Sequence, residues 1–344
     1  MTGDTFPSMS ERIPVAVIGC GRMGRLHARV YSQMPTVELV AVCDADADAA
    51  EETASQYGAK SVAASPEDLV GKVKAVTIAV PTTYHLPAAR PLLEAGVACL
   101  IEKPLAKDSA EARRIMEIAQ SHNAVVQVGH IERFNPAVRA LLELDVSAGF
   151  MEVIRVSPFS FRSIDVGVVL DMMIHDIDIV LQLARSPVKS IDAVGVSVVA
   201  HAEDICSARV RFENGCVANI TASRLSMKTD RKLRVFGRDA YVSLDYQKRY
   251  GIVIRKGSNL STLRDVVDGI RRGEVDDLSQ INYQDLVDVQ ELKIDDEEPL
   301  RAELDAFVRA VKGEQPPVVS AADGLAAVEL AEKIVGVMTG GRVD

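Results

Sequence analysis

The sequence predicts an α/β chain in two parts. The first, over residues 1–130, is a doubly wound parallel sheet. The second, over residues 131–344, is an α+β domain with a large, mostly antiparallel sheet. Three observations predict this. Apolar strands alternate with helices from Ile13 to Gly129. A glycine-rich turn follows the first strand. After about residue 147 short runs with β character take over. A length of 344 residues also suits two domains.

Composition narrows the class. Hydrophobic residues make up 48% and charged residues 26%, which supports a good-sized core. The net charge of −10 argues against a general nucleic-acid surface, which needs a basic excess. The five cysteines, at 20, 43, 99, 206 and 216, form no C-x-x-C pair, and their odd number fits a reducing compartment. The N-terminus lacks the basic and apolar regions of a signal peptide, and no apolar run approaches bilayer length. A cytoplasmic location with no membrane partner is expected.

In the first half, strand Val15–Ile18 leads to a helix over about 22–33, and strand Val37–Cys43 to a helix over about 46–57. A short strand near Ser61–Ala63 precedes Ser65-Pro66-Glu67-Asp68, a capped helix start. The apolar run Ala75–Val80 is short enough for a buried strand. A helix over about 85–95, strand Val97–Ile101, a helix over about 108–121 and strand Val125–Gly129 complete it. Six strands alternating with helices imply a parallel sheet with right-handed crossovers. In the second half, β runs fall at 150–158, 189–199, 206–212, 215–222, 231–236, 241–245 and 251–255. Glu213-Asn214-Gly215 is a turn signal. One helix, about 168–185, interrupts the strands, and helices near 298–312 and 321–338 close the chain.

The glycine turn carries the first functional signal. Gly19, Gly21 and Gly24 give G-x-G-x-x-G between a strand and a helix, in the stretch Gly19-Cys20-Gly21-Arg22-Met23-Gly24. The first glycine makes the tight turn, the second lets backbone approach a pyrophosphate, and the third lets helix pack on strand. The helix N-terminus then faces the phosphates. Asp44 closes the second strand twenty positions after Gly24. A carboxylate there can accept from a ribose 2′-hydroxyl and would repel a 2′-phosphate. The reading is a Rossmann-type domain for NAD; the alternative is a structural turn with Asp44 as a helix N-cap.

Ligands in such sheets sit at the carboxyl ends of the strands. There, Val80-Pro81-Thr82-Thr83-Tyr84-His85 forms a hydroxyl-rich loop that can border the nicotinamide ribose, or a capped helix start. Glu102-Lys103-Pro104 ends the fifth strand, with proline holding Lys103 extended. In the second domain, Asp171, His175 and Asp178 fall at i, i+4 and i+7 of a helix and share a face. That face fits a proton-transfer site with His175 as base, a metal site, or a helix-stabilising pair.

Together, Gly19-x-Gly21-x-x-Gly24, Glu102-Lys103-Pro104 and Asp171-x-x-x-His175 resemble the Gfo/Idh/MocA oxidoreductases. The resemblance covers nearly the whole chain. It implies that Lys103 and His175 flank a substrate hydroxyl beside NAD, that Asp171 assists, and that no metal is needed. It also implies a homodimer or homotetramer formed through the C-terminal sheet. The stretches Gly129–Pro136 and Phe159–Gly167 resemble the subgroup that oxidises the 3-hydroxyl of UDP-N-acetylglucosamine; an inositol, free-sugar or other UDP-sugar dehydrogenase, or a non-catalytic dinucleotide sensor, is the alternative. A nucleotide-sugar diphosphate would need arginine. Arg133 and Arg162 are candidates, with Phe134 and Asn135 beside them; the basic run Arg224, Lys228, Arg231, Lys232 and Arg234 is a second option or simply a charged exposed strand.

Overall fold

The computed structural model describes residues 12–160, 166–238, 240–256, 267–273 and 287–340. In chain order the strands are β1 Ile13–Ile18, β2 Val37–Cys43, β3 Ser61–Ala63, β4 Ala75–Ile78, β5 Ala98–Glu102, β6 Val126–Gly129, β7 Ala148–Val156, β8 Val188–Val196, β9 Ile205–Phe212, β10 Val217–Ser223, β11 Asp230–Gly237, β12 Ala240–Asp245, β13 Tyr250–Lys256 and β14 Val287–Glu291. The helices are α1 Arg22–Gln33, α2 Ala47–Tyr57, α3 His85–Glu94, α4 Ser109–Ser121, α5 Pro136–Glu143, α6 Ile174–Ala184, α7 Pro299–Val311 and α8 Ala321–Val337.

The chain divides into two compact units: Met1–Phe134 with Glu297–Lys333, and Asn135–Asp296 with Ile334–Asp344. This differs from the expected division at residues 130 and 131. The late segment returns to the first unit because α7 presents an apolar stripe to a sheet that must be covered on both faces.

The first unit holds six parallel strands in the order β3-β2-β1-β4-β5-β6. The order reverses between β1 and β4, the crevice where such sheets bind ligands. Alternate strand residues face opposite layers. Val15, Val17, Ala75 and Leu100 pack under Tyr31 of α1 and Leu304 and Phe307 of α7. Ala16, Ile18, Val76 and Ile101 pack under Leu92 and Leu93 of α3 and Ile115 of α4. The capped start at Ser65 is a tight 3₁₀ turn, Pro66–Leu69, with a reciprocal Ser65–Asp68 capping box.

The second unit holds an eight-stranded sheet in the order β14-β13-β12-β11-β7-β10-β9-β8. Only the β7–β10 pair is parallel. Burial alternates along its strands, as a sheet with one covered face requires: Met151, Val153, Ile220, Val210 and Leu233 point inward. The turn at Glu213-Asn214-Gly215 forms as expected, with Gly215 at φ +88°. Strand β14 was not expected, because Val287-Asp288-Val289-Gln290-Glu291 is polar; it pairs with β13. Among the described residues no helix is long and apolar enough to cross a membrane.

Candidate active site

Two of the three glycines of the turn meet steric demands within the protein. Gly19 has φ +94°, and a Cβ there would lie 2.6 Å from the Ala79 carbonyl oxygen at the end of β4. A Cβ at Gly24 would overlap the Gly19 carbonyl, so α1 seats directly on the turn. Gly21 is the N-cap of α1; its Cβ position is open, and no side chain caps the helix. The uncapped N–H groups of this first turn are the anion-binding feature of the motif. Arg22 is exposed and Met23 half-buried on the same turn. This cradle fits a dinucleotide pyrophosphate.

Asp44 is fastened beside the turn. Its Oδ2 accepts the Cys20 backbone N–H at 2.5 Å, and its Oδ1 accepts the Asp46 N–H at 2.9 Å. Asp46, not Asp44, caps α2, accepting the Ala49 N–H at 3.1 Å. The carboxylate of Asp44 keeps lone pairs for further donors.

The ends of β4 and β5 are tied together by His85. Its ring lies 3.0 Å from the Val80 carbonyl on one side and 3.0 Å from the Pro104 carbonyl on the other. Burial pushes its proton affinity down, against these carbonyls; the neutral ring donates to one of the two and packs its other nitrogen against the second. Its buried side chain braces the Val80-Pro81-Thr82 loop from behind. Thr82–Tyr84 forms a 3₁₀ turn, and neither threonine caps α3.

Glu102 also points inward. Its Oε1 lies 2.8 Å from Nε2 of His27 on α1, and its Oε2 accepts the Lys103 N–H at 3.2 Å. Burial pushes this carboxyl up, but the hydrogen bond and charge of His27 and the Lys103 ammonium outweigh it, so it titrates below its ordinary value. A Cβ at Gly129 on β6 would sit 3.0 Å from the Glu102 Cα, which explains the glycine. Lys103 therefore leaves β5 on a backbone anchored from below. The Lys103–Pro104 peptide is cis.

The three expected substrate contacts after β6 have structural work. Arg133 is buried, with Nη2 3.7 Å from Asp323 Oδ1. Phe134 belongs to the core under α3 and α4. Asn135 caps α5, accepting the Ala137 N–H at 3.0 Å. Residues 161–165, Arg162 among them, lie outside the described residues. In the basic run, Arg224 pairs with buried Asp204 at 2.9 Å, Lys228 and Lys232 meet Asp230 at 3.1 and 3.0 Å, and Arg234 meets Glu152 at 3.0 Å. That run is largely neutralised.

In the second unit the expected helix over 168–185 begins instead with a wide π-turn, Val169–Met173, closed by the Ile174 N–H on the Val169 carbonyl. Asp171 lies in this turn and His175 in the first turn of α6. The wider turn changes the expected common face: Asp171 and His175 are half-buried, whereas Asp178 is fully buried. The turn is held by Glu203, whose Oε1 accepts the Val169 N–H at 3.0 Å and whose carbonyl accepts the Val168 N–H at 2.9 Å. Glu203 is in turn fixed by Arg224, which donates to its carbonyl at 3.0 Å and pairs with Asp204. Asp204 accepts three backbone N–H groups, from Val198, Val199 and Ala200. Burial alone would raise Asp204; those bonds and Arg224 hold it below its ordinary value. Next to His175, Asp176 forms a buried two-pronged pair with Arg155 at 2.6 and 2.9 Å. Sequence reasoning missed His27, Glu203, Asp204 and the Arg155–Asp176 pair; only buried polar positions within apolar patterns hint at them. Among the described residues no group of three His, Cys, Asp or Glu could hold a metal ion.

The dinucleotide cradle of the first unit and the Asp171–His175 turn of the second are features of a nicotinamide-dependent oxidoreductase. The chain belongs to the Gfo/Idh/MocA family. Residues 13–130 match the oxidoreductase family with NAD-binding Rossmann fold, and residues 153–243 match the GFO/IDH/MocA C-terminal domain. The protein is thus an NAD-dependent oxidoreductase. It is 33% identical over 303 residues to the UDP-N-acetylglucosamine 3-dehydrogenase of Acidithiobacillus ferrooxidans, covering 87% of this chain and 89% of that one. A solved structure of that enzyme superposes with a TM-score of 0.84 at 30% identity, covering 95% and 97% of the two chains. The inositol 2-dehydrogenase of Rhizobium meliloti is 27% identical over 336 residues, covering 93% and 94%.

Proposed function

We propose that the protein oxidises the 3-hydroxyl of UDP-N-acetylglucosamine to the 3-keto sugar. The observation that carries this reading is the near full-length similarity to an enzyme of that name, at 33% identity against 27% for the inositol 2-dehydrogenase. NAD, when bound, accepts the hydride. The chain's own residues must then hold the alcohol and take its proton, because an alcohol is far too weak an acid to ionise at neutral pH. Lys103 Nζ stabilises the developing alkoxide. His175 accepts the proton; its Nδ1 is buried, which leaves Nε2 as the accepting atom. Asp171, four positions before His175, is the proposed polar partner of the resulting imidazolium. Gly19, Gly21, Gly24, Asp44, Val80, Pro81 and Thr82 hold the cofactor, and Arg133 and Arg162 are the candidates to bind the substrate diphosphate. We also place the enzyme in the cytoplasm as a homodimer or homotetramer formed through the second unit's sheet.

The test is NADH formation across UDP-N-acetylglucosamine, other UDP-sugars, free sugars and inositols, with the product identified by NMR. Turnover of UDP-N-acetylglucosamine with a keto carbon at position 3 is expected. Turnover of unphosphorylated polyols alone would replace this reading with the inositol dehydrogenase one, which the wide coverage of that relative favours.

A further inference from the structure

A polar stripe runs through the core of the first unit, under α1 and α7. Register places Thr77 of β4, Leu100 of β5 and Gln127 of β6 in one row across the sheet, with Glu102 and Gly129 in the next row on the same face. His27 and Tyr31 come down from α1, one turn apart, and Glu303 from α7. All these side chains are buried. Some pairings are evident: His27 with Glu102 at 2.8 Å, Tyr31 hydroxyl with Thr77 hydroxyl at 2.9 Å, and Gln127 Nε2 donating to the Glu303 carbonyl at 3.0 Å. The Glu303 carboxyl is the exception. It is fully buried, and neither oxygen has a hydrogen-bond partner in the protein.

Two carboxyls thus lie on one buried face of the sheet, and the His27 ring and the Lys103 backbone N–H and ammonium are grouped on Glu102, not on Glu303. An ionised carboxylate with no donor at either oxygen is far too costly to keep in such a place. We propose that Glu102 and Glu303 form one buried acid pair carrying a single proton, that Glu303 holds it, and that Glu303 is thereby a positioning residue which keeps one negative charge, not two, behind Lys103. Burial and the neighbouring Glu102 both push the Glu303 carboxyl well above its ordinary range, in line with this division. The other groups facing it are Tyr31, whose phenol burial raises far out of the neutral range, and the uncharged Thr77 and Gln127. The functional half of the inference rests on the assignment of Lys103 to the hydride-transfer site.

Infrared difference spectra of protein carrying ¹³C-labelled glutamate carboxyls test the pair without any substrate. A protonated-carboxyl band that persists at neutral pH, and disappears in Glu303→Gln, is expected. Absence of the band in the wild type, or its survival in Glu303→Gln, overturns the proposal. The second arm is the pH profile of kcat on whichever substrate the NADH panel identifies. Glu303→Gln removes this ionisation from behind Glu102, so the alkaline limb of the profile should shift. An unmoved limb overturns the positioning role. Infrared results as expected with no turnover of any sugar would instead count against the proposed reaction.

Discussion

His27 Nε2 and Glu102 Oε1 lie 2.8 Å apart, joining the helix that follows the glycine turn to the strand that ends in Lys103. The pair is buried, so each partner depends on the other for compensation. Removing one partner of a buried pair typically costs about 3–5 kcal/mol, because the other charge is left alone. His27→Ala should therefore lose stability of that order at pH 7, measured by urea unfolding. The loss should shrink in acid. Glu102 titrates below its ordinary value of 4.5 in the folded protein, so its contribution is present above that value and is lost as pH falls through the folded one. A stability gap that stays constant from pH 7 into that range would refute the pairing.

Glu303 has the opposite sign. Its folded value is raised, so the native state binds a proton that the unfolded chain has released. Stability is then fully present below the ordinary value of 4.5 and is lost as pH rises toward the folded value. Glu303→Gln keeps the shape and removes the titration. Its melting temperature, compared with wild type by calorimetry, should gain on wild type as pH rises above 4.5. Parallel melting curves across that range would show that Glu303 does not titrate anomalously.

The cysteines offer a simple check on the two cores. All five thiols are free and buried. Burial pushes Cys43 up to about 11 and Cys206 to about 12, so little reactive thiolate exists near neutrality. Native protein should react slowly with a thiol-disulfide reagent at pH 8, and all five groups should react after denaturation. Rapid native labelling of even one would place that residue at an opening in the core.

Much of this was readable in the chain, for reasons that differ from residue to residue. Gly19 and Gly24 were legible because each answers a local steric demand within a strand–turn–helix unit, and Gly21 by its spacing between them. The family was legible through the order of three motifs, those of the glycine turn, Glu102-Lys103-Pro104 and Asp171-x-x-x-His175. The return of α7 to the first unit was not, because a helix carries no record of which sheet it covers. Glu303 sits at an inward position of that helix, where an apolar residue is the ordinary choice, and nothing local marks it as buried. Asn135 and Phe134 were singled out by the resemblance of their stretch, which carries no signal of their packing as a cap and a core side chain. The π-turn at Val169–Met173 had no local signal either, since Glu203, 34 positions away, makes the bond that holds it.

That π-turn yields the sharpest test of the second unit. A Cβ at Gly167 would overlap the Glu203 carboxylate that accepts the Val169 N–H. With the Glu203 backbone held by Val168 and Arg224, its carboxylate can move aside only by rotating off the Val169 N–H. Gly167→Ala should therefore displace the turn that carries Asp171 and the start of α6 that carries His175. Small misplacements of catalytic groups are expensive, so kcat should fall by about 10–100-fold. NAD affinity, which belongs to the Rossmann domain of residues 13–130, should be unchanged when measured by fluorescence titration. A second change, Glu203→Ala in the Gly167→Ala background, removes the overlap but also the bond to Val169. It should restore stability without restoring kcat. Full recovery of kcat in that double variant would mean that the Glu203 bond has no part in setting the turn.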